Sequence, residues 1–256
     1  MRGLYMAEGA MLTQQARMEL TANNLTNQQT PGFKRDEGVQ TSFAEWLLYA
    51  FDAEDLDGPA PVGTMAHNVA KSETHTHMGE GELEQTNREL DLAIMGNGFF
   101  EVQVGDEVLY SRDGHLSLDA DGFLVNSEGD MILGADGPIQ ITGPDREDVN
   151  LSEDLRIEDD GSVYVAGEFL DQIQLAPFDP EADYTKVGDN YFEPFDTDAE
   201  LDARVFQGYL EGSNVDLAEE MTRMMELSRN YEAAQRVMHT NDEILHQAAN
   251  ELGTLR

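Results

Sequence analysis

His75 and His77 stand two residues apart, with Glu80 and Glu82 close behind. Alternate residues of an extended strand face the same way, and imidazole with carboxylate suits zinc. No fourth ligand can be named, so an exposed polar strand or loop is the preferred reading. Asp119-Ala120-Asp121-Gly122 opens like a calcium loop. Phe123, however, sits where the next oxygen ligand must be, and the glycine comes two places early, so a hairpin turn is expected. Gly96-Asn97-Gly98-Phe99 has no following lysine or helix start and reads as a turn rather than a phosphate cradle. The serines, the six histidines and the 52 acidic residues offer no spacing that selects a nucleophile, a base and an orienting group. The reading is of a chain without catalytic residues, cofactor or metal.

Without cysteine, disulfides, thiolate metal sites and cysteine nucleophiles are excluded. The net charge of −37 is unevenly spread. Residues 1–35 hold four basic and two acidic side chains, residues 213–256 four and eight, and residues 36–212 seven and 42. Ends that escape the acidity of the middle fit ends that pack against other chains, where like charge would repel. Only three of the basic residues are lysine, and the middle suits a surface adapted to high salt, where repulsion is screened. Nucleic acid and anionic membrane are disfavoured as partners. The first twenty residues lack the apolar core of a cleaved signal peptide, and no run of eighteen apolar residues occurs, so no direct membrane insertion is expected.

The longest periodic stretch runs from Ser213 to Leu252. Leu217, Met221, Met224, Tyr231, Met238, Leu245, Ala249 and Leu252 recur at alternating spacings of four and three, with polar Ser228, Gln235 and Asp242 at other places of the same seam. Ser213 is the expected N-cap, and Asp216 falls where the positive helix end favours a carboxylate. At about 1.5 Å per residue the helix would be roughly 60 Å long, more than a domain of this size needs, so something must cover its seam. Residues 3–27 read as a second helix, with Leu4, Ala7, Met11, Met18 and Leu25 on a seven-residue repeat. It is the natural partner of the first. Thr30-Pro31-Gly32 ends it in a sequence suited to a type II turn.

Between the helices the periodicity changes. An apolar set including Phe33, Val39, Phe43, Trp46 and Phe51 precedes an acidic Gly/Pro run at 52–63, which reads as a linker. From about residue 65, short apolar runs alternate with Asp113-Gly114, Asp121-Gly122, Asp136-Gly137 and Asp160-Gly161, dipeptides that suit hairpin turns. The fold class expected is α+β. Residues 1–35 and 213–256 form a helical coiled-coil stalk, 36–64 connect, and 65–212 form an acidic all-β antiparallel domain of barrel or sandwich type.

Both ends also carry a resemblance. Thr21-Ala-Asn23-Asn24-Leu25-Thr-Asn27-Gln-Gln-Thr-Pro-Gly32-Phe33-Lys-Arg35 resembles the N-terminal signature of the axial proteins of the bacterial flagellum, with Thr26 standing where alanine is usual. Gly208-Tyr-Leu-Glu-Gly-Ser213-Asn214-Val215-Asp216, then Glu220-Met221 and Arg229-x-Tyr231-Glu232, resembles the C-terminal one. Leu90-Asp-Leu-Ala-Ile-x-Gly-x-Gly-Phe-Phe100 and Tyr110-Ser-Arg-Asp-Gly114 resemble the central domain of rod and hook proteins. The length fits rod proteins with one β domain, of the proximal or the distal type. The resemblance implies a basal-body subunit whose terminal helices pack in a helical tube with the β domain outside. Its implied partners are other copies, other rod and hook subunits, and the flagellar type III export apparatus, which would take it out of the cell without a cleaved signal. Two other classes stay open on residues alone. One is an acidic surface binding module or adhesin oligomerised by its helices; the other is a hydrolase whose site the sequence does not reveal.

Overall fold

The computed structural model describes residues 2–42, 46–50, 60–65, 69–142, 154–179, 182, 184–188, 190–195 and 199–254. Two long helices, Arg2–Thr26 and Leu217–Thr254, stand at the ends of a chain that is otherwise antiparallel strands. Leu4, Ala249 and Leu252 fall on these helices, but their side chains lie outside the description, as do Phe43 and Phe51 entirely. No helix among the described residues is long and apolar enough to cross a membrane.

Both helix boundaries have local causes. The first helix gives way to the turn Thr30–Phe33, where the Phe33 amide donates to the Thr30 carbonyl at 3.3 Å and Gly32 adopts φ +70°. This agrees with the expected type II turn. The second helix starts three residues later than expected. Ser213 Oγ accepts from the Val215 amide instead of capping a first turn, and Asp216 takes the place before the helix, ahead of Glu219 and Glu220. The cause is that Asn214 is held in extended chain by contacts described below.

The segment 36–64, expected to connect, is largely strand. Asp36–Ser42 pairs with Val69–Thr76, and Trp46–Ala50 pairs antiparallel with Ala60–Met65, which makes two nested pairs. The Gly and Pro residues of Ala60–Met65 hid that strand: the register shifts between Leu48 and Tyr49, next to where Pro61 enters the pairing.

The larger β region is built on Gly98–Val104, which pairs on one side with Glu107–Ser111 and on the other with Met131–Gly134, while Leu175–Pro177 pairs with its first residues. Among the described residues this sheet does not close on itself, so the barrel expectation is corrected to an open sheet. A three-stranded sheet of Leu155–Ile157, Ser162–Val165 and Glu168–Gln172 accompanies it, with the pairs Leu92–Gly96/Ala203–Gln207 and Leu83–Gln85/Tyr209–Glu211. Inward residues of these strands, among them Leu92, Phe100, Val102, Ile132 and Val163, make one core. Phe99, Phe178, Phe192 and Met78 make a smaller one. Gly122 and Gly161 take positive φ in turns, as expected of their Asp-Gly pairs, whereas Gly137 takes it at the start of the strand Gly137–Pro138, after a loop of Ala135 and Asp136. Asp113-Gly114 does not: a Cβ on Gly114 would lie 1.7 Å from the Leu92 carbonyl oxygen, so this glycine serves close backbone approach.

The chain divides into two compact units. One comprises residues 1–23, 36–75 and 218–256, the helices with the nested strands; the other comprises 24–35 and 76–217, here called the β unit.

Candidate functional site

Two features stand out as devices, one in each unit. The first is an ion cluster at the heart of the β unit. Lys34 follows the turn that ends the N-terminal helix, Arg112 follows the strand Glu107–Ser111, and Glu211 closes the strand Tyr209–Glu211. All three side chains are at most 2% exposed.

Glu211 is the shared acceptor. Its Oε1 takes the Lys34 ammonium at 2.6 Å and the Gly81 amide at 3.0 Å, while Oε2 takes Arg112 Nη1 at 2.9 Å. Arg112 also donates to the Ile94 carbonyl at 3.0 Å and to the Gly96 carbonyl, and its guanidinium lies 5.4 and 5.3 Å from the centres of the Phe99 and Phe178 rings. Lys34 has one further partner, the Gly79 carbonyl at 2.9 Å. Burial works against the charge of Glu211, but Arg112 and Lys34 outweigh it and hold the carboxyl below the usual range. Burial pulls the Lys34 ammonium down from its ordinary value, against the charge of Glu211.

The backbone closes the same joint. The Gly32 amide donates to the Glu211 carbonyl at 2.8 Å. Asn214 Oδ1 accepts from the Arg35 amide at 2.7 Å, and its Nδ2 donates to the His77 and Gly79 carbonyls at 2.8 and 3.0 Å. A Cβ on Gly32 would lie 2.3 Å from the Arg112 carbonyl carbon, so both its φ and its surroundings demand glycine. Lys186 Nζ reaches the Lys34 carbonyl at 3.0 Å and covers the buried Phe33 ring at 3.9 Å. Of the residues singled out in the sequence motifs, Gly32, Phe33, Ser213, Asn214 and Val215 meet in this unit, with Asn24 buried, Leu25 and Asn27 half-buried, and Asn23 half-buried in the other unit.

The second feature is the C-terminal helix. Glu220, Met224, Leu227, Tyr231, Ala234, Met238 and Asn241 are its buried or half-buried positions at four-three spacing. This stripe shares Met224, Tyr231 and Met238 with the seam read from sequence and runs one residue earlier at the places between. Met221 of the sequence seam is therefore exposed; Leu217 and Leu245, just beyond the two ends of the covered stripe, are exposed as well, together with Met225, Val237 and Ile244. On the N-terminal helix Ala7 is buried, Met11, Met18 and Leu25 are half-buried, and Leu12 is exposed. Arg17, Leu20 and Thr21 of that helix line a cavity of about 260 Å³ with Asp36, Glu37, Gly38, Arg223, Glu226, Leu227 and Asn230, so the two helices approach there.

The residues first considered for chemistry are occupied otherwise. The His77 backbone belongs to the Asn214 contacts, Glu80 Oε1 caps the Gly96 amide at 2.8 Å, and Glu82 is exposed. His75 is half-buried at the end of its strand. Asp119 Oδ1 accepts the Asp121 and Phe123 amides within its turn. Among the described residues no three His, Cys, Asp or Glu side chains gather as a metal would need. Sequence reading quoted the stretches holding Lys34, Arg112 and Glu211 without giving these three a role. They lie 99 and 177 residues apart from Glu211 in the chain, and no local pattern links them.

Three family models match in order along the chain: the flagella basal body rod protein at residues 4–34, the flagellar hook protein FlgE/F/G D1 domain at 93–165, and the flagellar basal body rod FlgEFG protein C-terminal at 207–252. The chain is 33% identical to the flagellar basal-body rod protein FlgF of Caulobacter vibrioides, over 98% of each chain. It is 31% identical to the FlgG rod protein of Buchnera aphidicola from Acyrthosiphon pisum, over 95% of this chain and 97% of the relative. It is 28% identical to the hook-basal body complex protein FlhO of Bacillus subtilis over the full length of both.

Proposed function

Because the chain belongs to the family of flagellar basal-body rod proteins, we propose that it is a structural subunit of the bacterial flagellar rod, polymerising into a helical axial tube that transmits torque from motor to hook. The observation that carries this reading is the ordered match of both ends and the middle to rod-family models, with relatives aligned over nearly their whole length. It resides in the basal body. Its partners are other copies and other axial subunits, and it reaches its place through the flagellar type III export apparatus.

The exposed apolar side chains of the C-terminal helix support the finer part of the proposal. Leu217, Met221 and Leu245, with Leu4, Ala7, Met11, Met18, Leu25, Met224, Tyr231, Met238 and Leu252, form seams that coiled-coil packing against neighbouring subunits completes. Domain limits at 1–35 with 213–256, and at 65–212, then correspond to an assembly part and an outer part. The adhesin reading gains no support from the relatives.

The test is loss and restoration of the gene. Cells lacking it should build no hook or filament, and the intact gene should restore both. Normal flagella without it would overturn the proposal.

A further inference from the structure

The turn that ends the N-terminal helix brings a buried ammonium into the β unit, and the carboxylate that neutralises it comes from 177 residues further along the chain. Until the strand Tyr209–Glu211 has paired with Leu83–Gln85, Lys34 has the Gly79 carbonyl as its hydrogen-bond acceptor and the weaker charge of Glu80, beside the like charge of Arg112. An ammonium buried on those terms is strongly disfavoured. The Gly32 and Arg35 amides likewise donate to Glu211 and Asn214. From this geometry we infer that Glu211 is the key to a docking order: the turn Thr30–Arg35, made early in synthesis, is fixed in the β unit only after the strand ending at Glu211 is in place.

The asymmetry between the two cations decides which one lets go. Arg112 keeps two backbone carbonyls and two aromatic rings if the carboxylate is removed, whereas Lys34 keeps a single carbonyl. Arg112 also sits in the middle of the β unit, where strands on both sides hold it, while Lys34 lies on a short segment with a helix on one side and the nested strands on the other. Neutralising Glu211 therefore releases the turn and leaves the central sheet in place. The inference concerns folding of the single chain and stands whether or not the rod reading holds.

Amide hydrogen exchange on the full chain tests it, comparing wild type, Glu211→Gln, and the double variant Lys34→Met/Glu211→Gln. In Glu211→Gln the Gly32 and Arg35 amides should exchange faster by about tenfold or more, the scale expected when a buried group loses its partner. The amides of the ladder between Gly98–Val104 and Glu107–Ser111 should stay protected. The double variant, with no ammonium left to bury, should recover most of the protection at Gly32 and Arg35. In wild-type refolding followed by pulsed exchange, these two amides should be protected after the ladder and after Tyr209–Glu211. Unchanged exchange in Glu211→Gln would overturn the inference, as would loss of the central ladder together with the turn. So would a double variant as open as the single one, or early protection of Gly32 and Arg35 in refolding.

Discussion

Arg112, Lys34 and Glu211 are at most 2% exposed in the β unit, whereas Met221, Met225, Val237 and Ile244 on the C-terminal helix are 50% or more exposed. One region has charge where apolar side chains are expected, and the other has apolar side chains where charge is expected. Burying apolar residues is a one-way tendency, so the informative departures are buried charge and a row of exposed large side chains. In the β unit every charge of the cluster meets its opposite within the same chain. On the helix these large side chains stay at least half open to solvent. On the proposed function, the difference separates a part that is complete as a monomer from a part to be completed by assembly.

The sharpest way to break this comparison is to place charge on the exposed helix face. Met221→Asp or Leu245→Asp should leave the melting of the monomer within about 0.5 kcal/mol, as for ordinary surface changes. Assembly should be lost outright, because a carboxylate buried against apolar neighbours without a partner costs several kcal/mol per contact and the contact repeats along the polymer. Electron microscopy of basal bodies and calorimetry of the purified monomer provide the two readouts. Rods of normal length from either variant would show that this face is not an interface.

Removing charge from the β unit should have the reverse pattern. Glu211→Ala leaves Lys34 and Arg112 buried without their carboxylate, a change that costs about 3–5 kcal/mol when a buried pair loses one member. Chemical denaturation of the full chain should show it as a lower midpoint. Gly32→Ala strikes the same joint from the backbone, since φ +70° and a 2.3 Å approach to the Arg112 carbonyl carbon both oppose a side chain. The expected loss is about 1–3 kcal/mol. A midpoint unchanged in both variants would remove the cluster from any role in stability.

Acid should act on the cluster in a definite sense. The carboxyl of Glu211 is held below its ordinary value in the folded state, so its contribution is fully present above the usual carboxylate range and is lost as pH falls through the lowered value. Asp113 runs the other way. Burial raises its carboxyl, so its charge opposes folding above the carboxylate range and protonation in acid relieves that cost. Subtracting the acid denaturation curve of Glu211→Gln from that of wild type isolates the first effect. The wild type should lose more stability between neutral pH and the acid limb than the variant does; parallel curves would mean that Glu211 is not charged in the folded protein.

How much of this was legible beforehand follows from how local each signal is. The helices and the Pro31-Gly32 turn are written in residues three or four apart, and they stand within a few positions of where spacing puts them. The seam register was harder. A helix with two four-three stripes offset by one residue shares every other position between them, and the monomer covers the stripe containing Glu220, Leu227, Ala234 and Asn241 rather than the one through Met221, Gln235 and Asp242. Ala60–Met65 was obscured by its Gly and Pro, and Tyr209–Glu211 by its length of three residues. The ion cluster had no local signal, because Lys34, Arg112 and Glu211 become neighbours only through strand pairing.

The smallest effect expected is that of salt, and it tests whether the completeness of the β unit depends on the medium. The β unit, residues 24–35 and 76–217, carries 35 acidic and eight basic side chains. Three of the eight, Lys34, Arg112 and Lys186, are engaged in the cluster or beside it, which leaves the outer surface still more one-sided. Carboxylates spread over that surface repel one another, and the Debye length falls from about 30 Å at 0.01 M salt to about 3 Å at 1 M. Repulsion across the unit should therefore fade over that range, while the buried contacts of Glu211, out of reach of mobile ions, should change little. Melting of the full chain followed by aromatic circular dichroism should move upward by several degrees in sodium chloride, and equally in potassium chloride if screening alone is at work. The same series on Glu211→Ala should rise in parallel from its lower start, because surface repulsion and the buried cluster are separate terms. A flat series in both salts would show that the surface charge does not oppose folding, and a steeper rise in the variant would show that the cluster and the surface are coupled.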